Sequence, residues 1–290
     1  MECWSDETDT SLLQHSITPS FLSAVHVITL LTDFGLHDAY IGAMKGVILS
    51  INPQAQMVDL THEVAAQDVQ AAAFLLHGAY LYFPTGTIHV VVVDPGVGSE
   101  RRGLAGRIGD YFFVAPDNGV LSWVLADASP CEIVELKNAD YFLPHVSRTF
   151  HGRDVFAPVA AHLSLGVPLT AFGPPVTDPV RFDVPRPVVE ENQITAQVIH
   201  VDRFGNLITN VTDETLTRWQ GQVNVVIEIA GQRIEGVSAT YSVAPPHGLL
   251  ALFGSSGHLE IAVREGSAAE QLGMGWGASV HISRLTALRR

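Results

Sequence analysis

The chain has 290 residues, enough for one large domain or two of medium size. Apolar residues make up 47% of it and charged residues 16%, which suits a well-buried globular protein and excludes a largely disordered one. A formal net charge of −14 disfavours non-specific binding to nucleic acid, whose phosphates reward clusters of Lys and Arg, and is compatible with a cationic small substrate.

The first 24 residues are acidic and polar. They lack the basic and apolar regions of a signal peptide and read as a solvated tail. Apolar runs such as Ile88 to Val93 are far too short to cross a bilayer, so no membrane partner and a cytoplasmic location are expected. The two cysteines, Cys3 and Cys131, read as reduced thiols and are too few for an all-thiolate zinc site.

Beyond the tail, strand-like and helix-like patterns alternate. VHVITLL (25–31) is a buried-strand run that ends in TDFG. DAYIGAMKGVILSI (38–51) has apolar residues at helical spacing, with Asp38 as its expected N-cap. QMVDL (56–60) is a second strand and QDVQAAAFLLHGAYLYF (67–83) a second helix. TIHVVVV (87–93) is an uninterrupted apolar strand that runs into Asp94. YFFVA (111–115), the turn PDNG, NGVLSWVLA (118–126) and EIVEL (132–136) follow, and a helix from about Arg153 to Leu165 closes the region. This alternation predicts an open α/β sheet with helices on both faces over 25–172.

Residues 173–192 read as a linker, because Pro174, Pro175, Pro179, Pro185 and Pro187 cannot continue a helix or a central strand. From 193 to 290 nearly everything is short strand: ITAQVIHV, NLITNV, VNVVIEIA, LLALF, HLEIAV and ASVHIS. That spacing predicts a smaller C-terminal β-barrel or sandwich.

Ligands of open α/β sheets bind beyond the carboxyl ends of strands, where Asp33 and Asp94 fall. Taken alone, Asp33 suits a turn carboxylate as well as a ligand-binding one. DPGVGSERRG (94–103) reads as a Gly-rich turn followed by a solvated Glu-Arg-Arg run. Its glycines do not fit G-x-G-x-x-G, and no P-loop Gly-Lys-Ser/Thr occurs. THEVAA (61–66) lacks the second histidine of a zinc-binding H-E-x-x-H. SRTFHGRDVFAP (147–158) gathers a histidine, an arginine and an aspartate before a helix, and HVDRFGNLITN (200–210) suits an Asx-type hairpin turn.

Together and in this order, TDFG, DPGVGSER, TFHGRD and DRFGN resemble the S-adenosylmethionine hydrolase family (the SAM hydroxide adenosyltransferases), which is related to the fluorinase and chlorinase. The resemblance runs from about Ile28 to about Arg284. It implies hydrolysis of S-adenosyl-L-methionine to adenosine and L-methionine, without a cofactor or a metal, by a homotrimer with sites at its subunit interfaces. It also implies a catalytic set of Asp94, Arg101 and His151. The halogenating relatives carry a tyrosine at the position of Asp94 and a halide-contacting serine at that of Gly152. By the same resemblance Asp33 holds the ribose hydroxyls, while Asp202 and Asn206 bind the methionine portion with Phe204 packing nearby. Ser255 in GSSGHLEIA (254–262) is the best-matched position of a C-terminal contact segment. That segment departs from the fluorinase pattern at Ser256, where an arginine is expected.

Overall fold

A computed structural model describes residues 27–127, 129–221 and 224–285. The expected N-terminal tail and Cys3 lie outside the described residues. The N-terminal half is built from β1 (Val27–Thr32), α1 (Tyr40–Ile51), β2 (Gln56–Thr61), α2 (Val69–Ala79), β3 (Ile88–Val92), β4 (Gly103–Ile108), β5 (Tyr111–Pro116), α3 (Ser122–Asp127), β6 (Cys131–Glu135) and α4 (Ala157–Ser164). Its strands form one sheet in the order β2-β1-β3-β5-β4-β6. The pairs β1–β2, β1–β3 and β3–β5 are parallel, whereas β4 runs antiparallel to both β5 and β6.

Side-chain alternation along the strands divides the core into two layers. Ile28 and Leu30 of β1, with Ile88, Val90 and Val92 of β3, face Ile41, Met44 and Ile48 of α1 and the apolar residues of α4. Leu31, Val91 and Phe113 face the other way, onto Ala72, Ala73 and Leu76 of α2 and Val124 of α3. Helices therefore cover both faces, and β3 is apolar throughout because both of its sides are buried.

Several local expectations are corrected. Asp38 is not a cap: α1 begins after Ala39, with no side-chain cap bond. Asp68 does cap α2, accepting from the Ala71 N–H at 2.9 Å. β4 was not anticipated, since Gly103, Gly106 and Arg107 give its sequence little strand character. Gly106 is needed there, because a Cβ would lie 2.9 Å from the Glu132 carbonyl on β6. Nor is the Glu-Arg-Arg run a solvated stretch. Glu100 is exposed, but Arg101 and Arg102 are half-buried and turn inward, Arg102 onto Asp117 and Asp178.

The proline-rich segment is fastened to the N-terminal half. Pro174 and Val176 exchange backbone hydrogen bonds with β6, Asp117 accepts from the Val180 N–H and Ser122 from that of Phe182. At its far end β7 (Val188–Val189) pairs with the first long strand of the second half.

That half comprises β8 (Gln193–Val201), β9 (Leu207–Thr212), α5 (Asp213–Gln220), β10 (Val225–Ile229), β11 (Gln232–Glu235), β12 (Leu249–Phe253), β13 (His258–Val263), α6 (Ala268–Leu272) and β14 (Ser279–Arg284). The antiparallel order β11-β10-β14-β8-β9-β13-β12 is brought nearly to closure by a bridge between Ser238 and Leu252, giving an almost complete barrel. Two helices that the sequence pattern did not anticipate stand between the expected strands. α5 is capped by Thr212 and buries Leu216 and Trp219. α6 is capped by Ser267 and ends at Gly273 in the left-handed region. Between the halves, Phe74 of α2 stacks on His200 of β8 at 5.0 Å and packs with Ile199 and Ile208.

Candidate active site

The chain leaves β1 through α1 to reach β2 on one side, and α2 then carries it to β3 on the other side of β1. The direction of winding thus reverses between β1 and β3, and the crevice at their carboxyl ends is the switch point where ligands of such sheets bind. Thr32 pairs with Val92 at those ends, so Asp33 and Asp94 emerge together. Both line a cavity of about 380 Å³ whose other walls include Phe34, Tyr40, Phe150, His151 and Gly152.

Arg101 joins the catalytic candidates. Its Nε lies 2.9 Å from each carboxylate oxygen of Asp94, and its Nη2 donates to Asp94 Oδ2 and, at 2.9 Å, to His151 Nδ1. The Asp94 and Arg101 side chains are only 4% and 11% exposed, so this is a desolvated pair held by a planar fork and not a surface contact. The guanidinium also lies over the Phe156 ring, 5.2 Å from its centre. Since an arginine only donates, His151 Nδ1 must accept, which leaves the imidazole neutral with its proton on Nε2. Burial and the neighbouring Arg101 charge both push the His151 pKa below its ordinary value.

Two loops must meet for this to happen. Gly98, at φ +77°, approaches so closely that a Cβ would sit 2.2 Å from the Arg148 carbonyl. His151 then leads into a π-helical turn, Gly152–Phe156, ahead of α4. Pro158 has no N–H to offer the Asp154 carbonyl, and the Leu143 N–H takes it instead at 2.9 Å. Asp154 itself is fully buried. Burial opposes its charge, but hydrogen bonds from Arg153 and Ser147 outweigh that and hold its pKa below the usual carboxylate range. Gly152 is walled in as well, a Cβ there meeting Met44 Sδ at 3.2 Å and the Phe150 and Phe34 rings at 3.3 and 3.4 Å. Phe34, Tyr40 and Phe150 form an aromatic wall, edge-to-face where Phe150 meets the other two rings and tilted between Phe34 and Tyr40, that single-sequence patterning did not single out.

Asp33 accepts from the Gln67 N–H at 2.8 Å through Oδ2. The other four predicted residues stand elsewhere in the chain. Asp202 shapes the β8–β9 turn as an Asx motif, accepting from the Phe204 and Asn206 N–H groups and from Asn206 Nδ2, each at 2.9 Å. Asn206 is buried, Phe204 is 76% exposed and Ser255 is exposed. None of the four lines the 380 Å³ cavity. Asp202 borders a separate cleft of about 900 Å³ between the two halves. Beside it lies a carboxylate the sequence reading missed: Glu260 is 4% exposed and accepts from the Tyr241 hydroxyl. Burial and the Asp202 charge raise its pKa. Among the described residues no group of three or more His, Cys, Asp or Glu is placed to hold a metal ion, and no helix is long and apolar enough to cross a membrane.

A doubly covered α/β sheet with a charged, desolvated cluster at its switch point, joined to a nearly closed barrel, is the architecture of an enzyme acting on a small ligand. The chain belongs to the SAM hydroxide adenosyltransferase family, whose N-terminal domain matches residues 28–173 and whose C-terminal domain matches residues 196–281. It is 39% identical over 259 residues to the (R)-S-adenosyl-L-methionine hydrolase of Salinispora arenicola, covering 88% of this chain and 97% of that one. A fluorinase from Actinoplanes sp. is more distant, 28% identical over 233 residues, 70% of this chain and 78% of that one. The crystal structure of an uncharacterized conserved protein from Thermotoga maritima has the same fold, with a TM-score of 0.83 and 38% identity over 89% of this chain and 100% of the other.

Proposed function

We propose that the enzyme hydrolyses S-adenosyl-L-methionine to adenosine and L-methionine by attack of water on the ribose C5′. The observation that carries this reading is the Arg101 fork, which ties Asp94 to His151, two residues that line one cavity with Asp33. A bond forms from the water oxygen to C5′ as the C5′–S bond breaks, and its electron pair returns to sulfur. The sulfonium leaves as a neutral thioether, so neither a general acid nor a metal is called on at the leaving atom. What remains is to position and activate one water, with in-line geometry worth up to roughly 7–11 kcal/mol of barrier.

Each residue then has a role. Arg101 supplies a fixed positive charge toward a developing hydroxide. His151, with Nδ1 engaged, holds the Arg101 guanidinium in place and helps to orient the water. Asp94 retains acceptor capacity and takes the water proton. Asp33 keeps one carboxylate oxygen for the ribose hydroxyls, and the aromatic wall offers π faces to a sulfonium. The crowding around Gly152 supports water over halide, since a serine there has no room without displacing Met44 or a ring.

The methionine portion is assigned to Asp202, Asn206, Phe204 and Ser255. Because these do not line the Asp94 cavity of their own chain, we read the working site as shared, each barrel completing the cavity of a neighbour in a homotrimer. Incubation with S-adenosylmethionine in heavy-oxygen water is expected to give adenosine carrying one labelled 5′-oxygen, at a rate unchanged by EDTA. Unlabelled adenosine, a 5′-halogenated product in chloride, or activity lost to chelator and restored by a divalent ion overturns the proposal.

A further inference from the structure

The THEVAA segment, which is no zinc motif, has a different part in the fold. His62 is 3% exposed and follows directly on β2. Its Nδ1 lies 2.9 Å from Thr32 Oγ1, the last residue of β1. Thr32 Oγ1 is in turn the acceptor for the Phe34 N–H at 3.2 Å. The His62 carbonyl accepts from the Gly35 N–H at 2.7 Å. Five residues on, the Gln67 N–H reaches Asp33 Oδ2 itself, from a backbone at φ +68° that only a constrained turn holds for a non-glycine residue. The TDFG turn is therefore clamped by 62–67 through a side chain, a carbonyl and an amide.

The proton inventory gives the clamp a direction. Thr32 Oγ1 accepts from Phe34 and keeps its one hydrogen to give to His62 Nδ1, and the carboxylate beside Nε2 favours that direction by holding the imidazole proton on Nε2. That nitrogen faces Asp59, 3.1 Å from Oδ1 at ion-pair distance though not in hydrogen-bond geometry. Asp59 is anchored on its other oxygen by Lys45 Nζ of α1 at 2.6 Å. An ammonium, a carboxylate, an imidazole and a hydroxyl thus run in series from the protein surface to the backbone on either side of Asp33.

We infer that His62 is a positioning residue, oriented by Asp59, that sets the Asp33 carboxylate so that one oxygen is spent on Gln67 and the other is presented to the ligand. This rests on the reading of Asp33 as the carboxylate that holds the ribose. A group binding the same hydroxyls in ground and transition states governs KM more than kcat, and the same signature passes to the residue that aims it.

Steady-state kinetics of His62→Leu, His62→Asn and Asp59→Asn test it, each alone and His62→Leu also in the Asp33→Ala background. His62→Leu is expected to raise KM for S-adenosylmethionine about tenfold with little change in kcat, the loss of one well-placed hydrogen bond. His62→Asn, which puts an amide oxygen near the place of Nδ1, is expected to recover most of that loss. Asp59 is 38% exposed on its side chain, so Asp59→Asn folds readily and is expected to raise KM by about threefold. In the Asp33→Ala background the His62→Leu effect is expected to vanish. A folded His62→Leu or Asp59→Asn enzyme with lowered melting temperature and unchanged KM overturns the positioning role, as does full additivity with Asp33→Ala. If Asp33→Ala itself leaves KM unchanged, it is the ribose reading that fails.

Discussion

At the residue scale, the proposed chemistry rests on one guanidinium with two partners. Lysine cannot replace it, because a single ammonium does not span both Asp94 oxygens and His151 Nδ1 at once. Asp94→Asn leaves Arg101 without its anion and the water without its acceptor. It is expected to cut kcat by about 10²–10⁴-fold, with a smaller effect on substrate binding. Single-turnover kinetics with a binding isotherm separate the two, and wild-type kcat in Asp94→Asn sinks the assignment. His151 makes a pH prediction whose sign follows from its surroundings. Burial and Arg101 favour the neutral ring, and protonation at Nδ1 turns an acceptor into a second donor facing a guanidinium. Activity is therefore expected to be level at neutral pH and to fall on an acid limb lying below the ordinary histidine value of 6.5. In His151→Asn that limb is expected to weaken or shift; a limb centred above 6.5 contradicts the neutral-histidine role.

At the element scale, the site exists because two loops from distant parts of the sequence touch. The contact is made by Gly98, whose left-handed backbone and missing Cβ let the 94–101 loop lie on the Arg148 carbonyl. Gly98→Ala pays twice, in φ and in a clash with backbone that has no far end to swing away. The expected result is a loss of more than ~1 kcal/mol of stability and a fall in kcat of about ten- to a hundredfold as His151 moves from Arg101. Thermal melts and kcat together check it, and unchanged kcat denies that the loop contact holds the cluster.

At the scale of the whole molecule, the two halves are fixed to one another by the Phe74–His200 seam and by a proline-rich segment pinned at both ends. The barrel residues assigned to methionine consequently cannot swing into their own chain's Asp94 cavity by simple flexing of a loose tether. Mixing Asp94→Asn with Asp202→Asn protein, under conditions that exchange subunits, is expected to restore part of the activity that neither retains alone. Some interfaces then pair an intact Asp94 wall with an intact Asp202 wall. Exchange proven by mass with no recovered turnover, or full turnover in a demonstrated monomer, rules the shared site out.

What the sequence determined by itself was local and periodic. The helix spacing of Ile41, Met44 and Ile48, the unbroken apolar β3, the Asx turn at Asp202 and each of the four short motifs are properties of neighbouring residues, and the order of the motifs is read along the chain without any fold. They were enough for the architecture and the family. Signals for α5 and α6 were also present, in Thr212 ahead of the buried pair Leu216 and Trp219 and in the Ser267–Glu270 spacing before Gly273, but regular strand spacing around them masked both. Tertiary structure decided what no window of sequence contains. β4 forms against its weak propensity because β5 and β6 supply partners on both edges. Arg101 and Arg102, which look like a solvated run, turn inward because the buried carboxylates of Asp94 and Asp117 wait there to be paired. The 62–67 clamp joins segments that meet only once β1 and β2 pair in parallel. Propensity acts over a few residues, whereas desolvation and charge pairing depend on which chain segments the fold brings together.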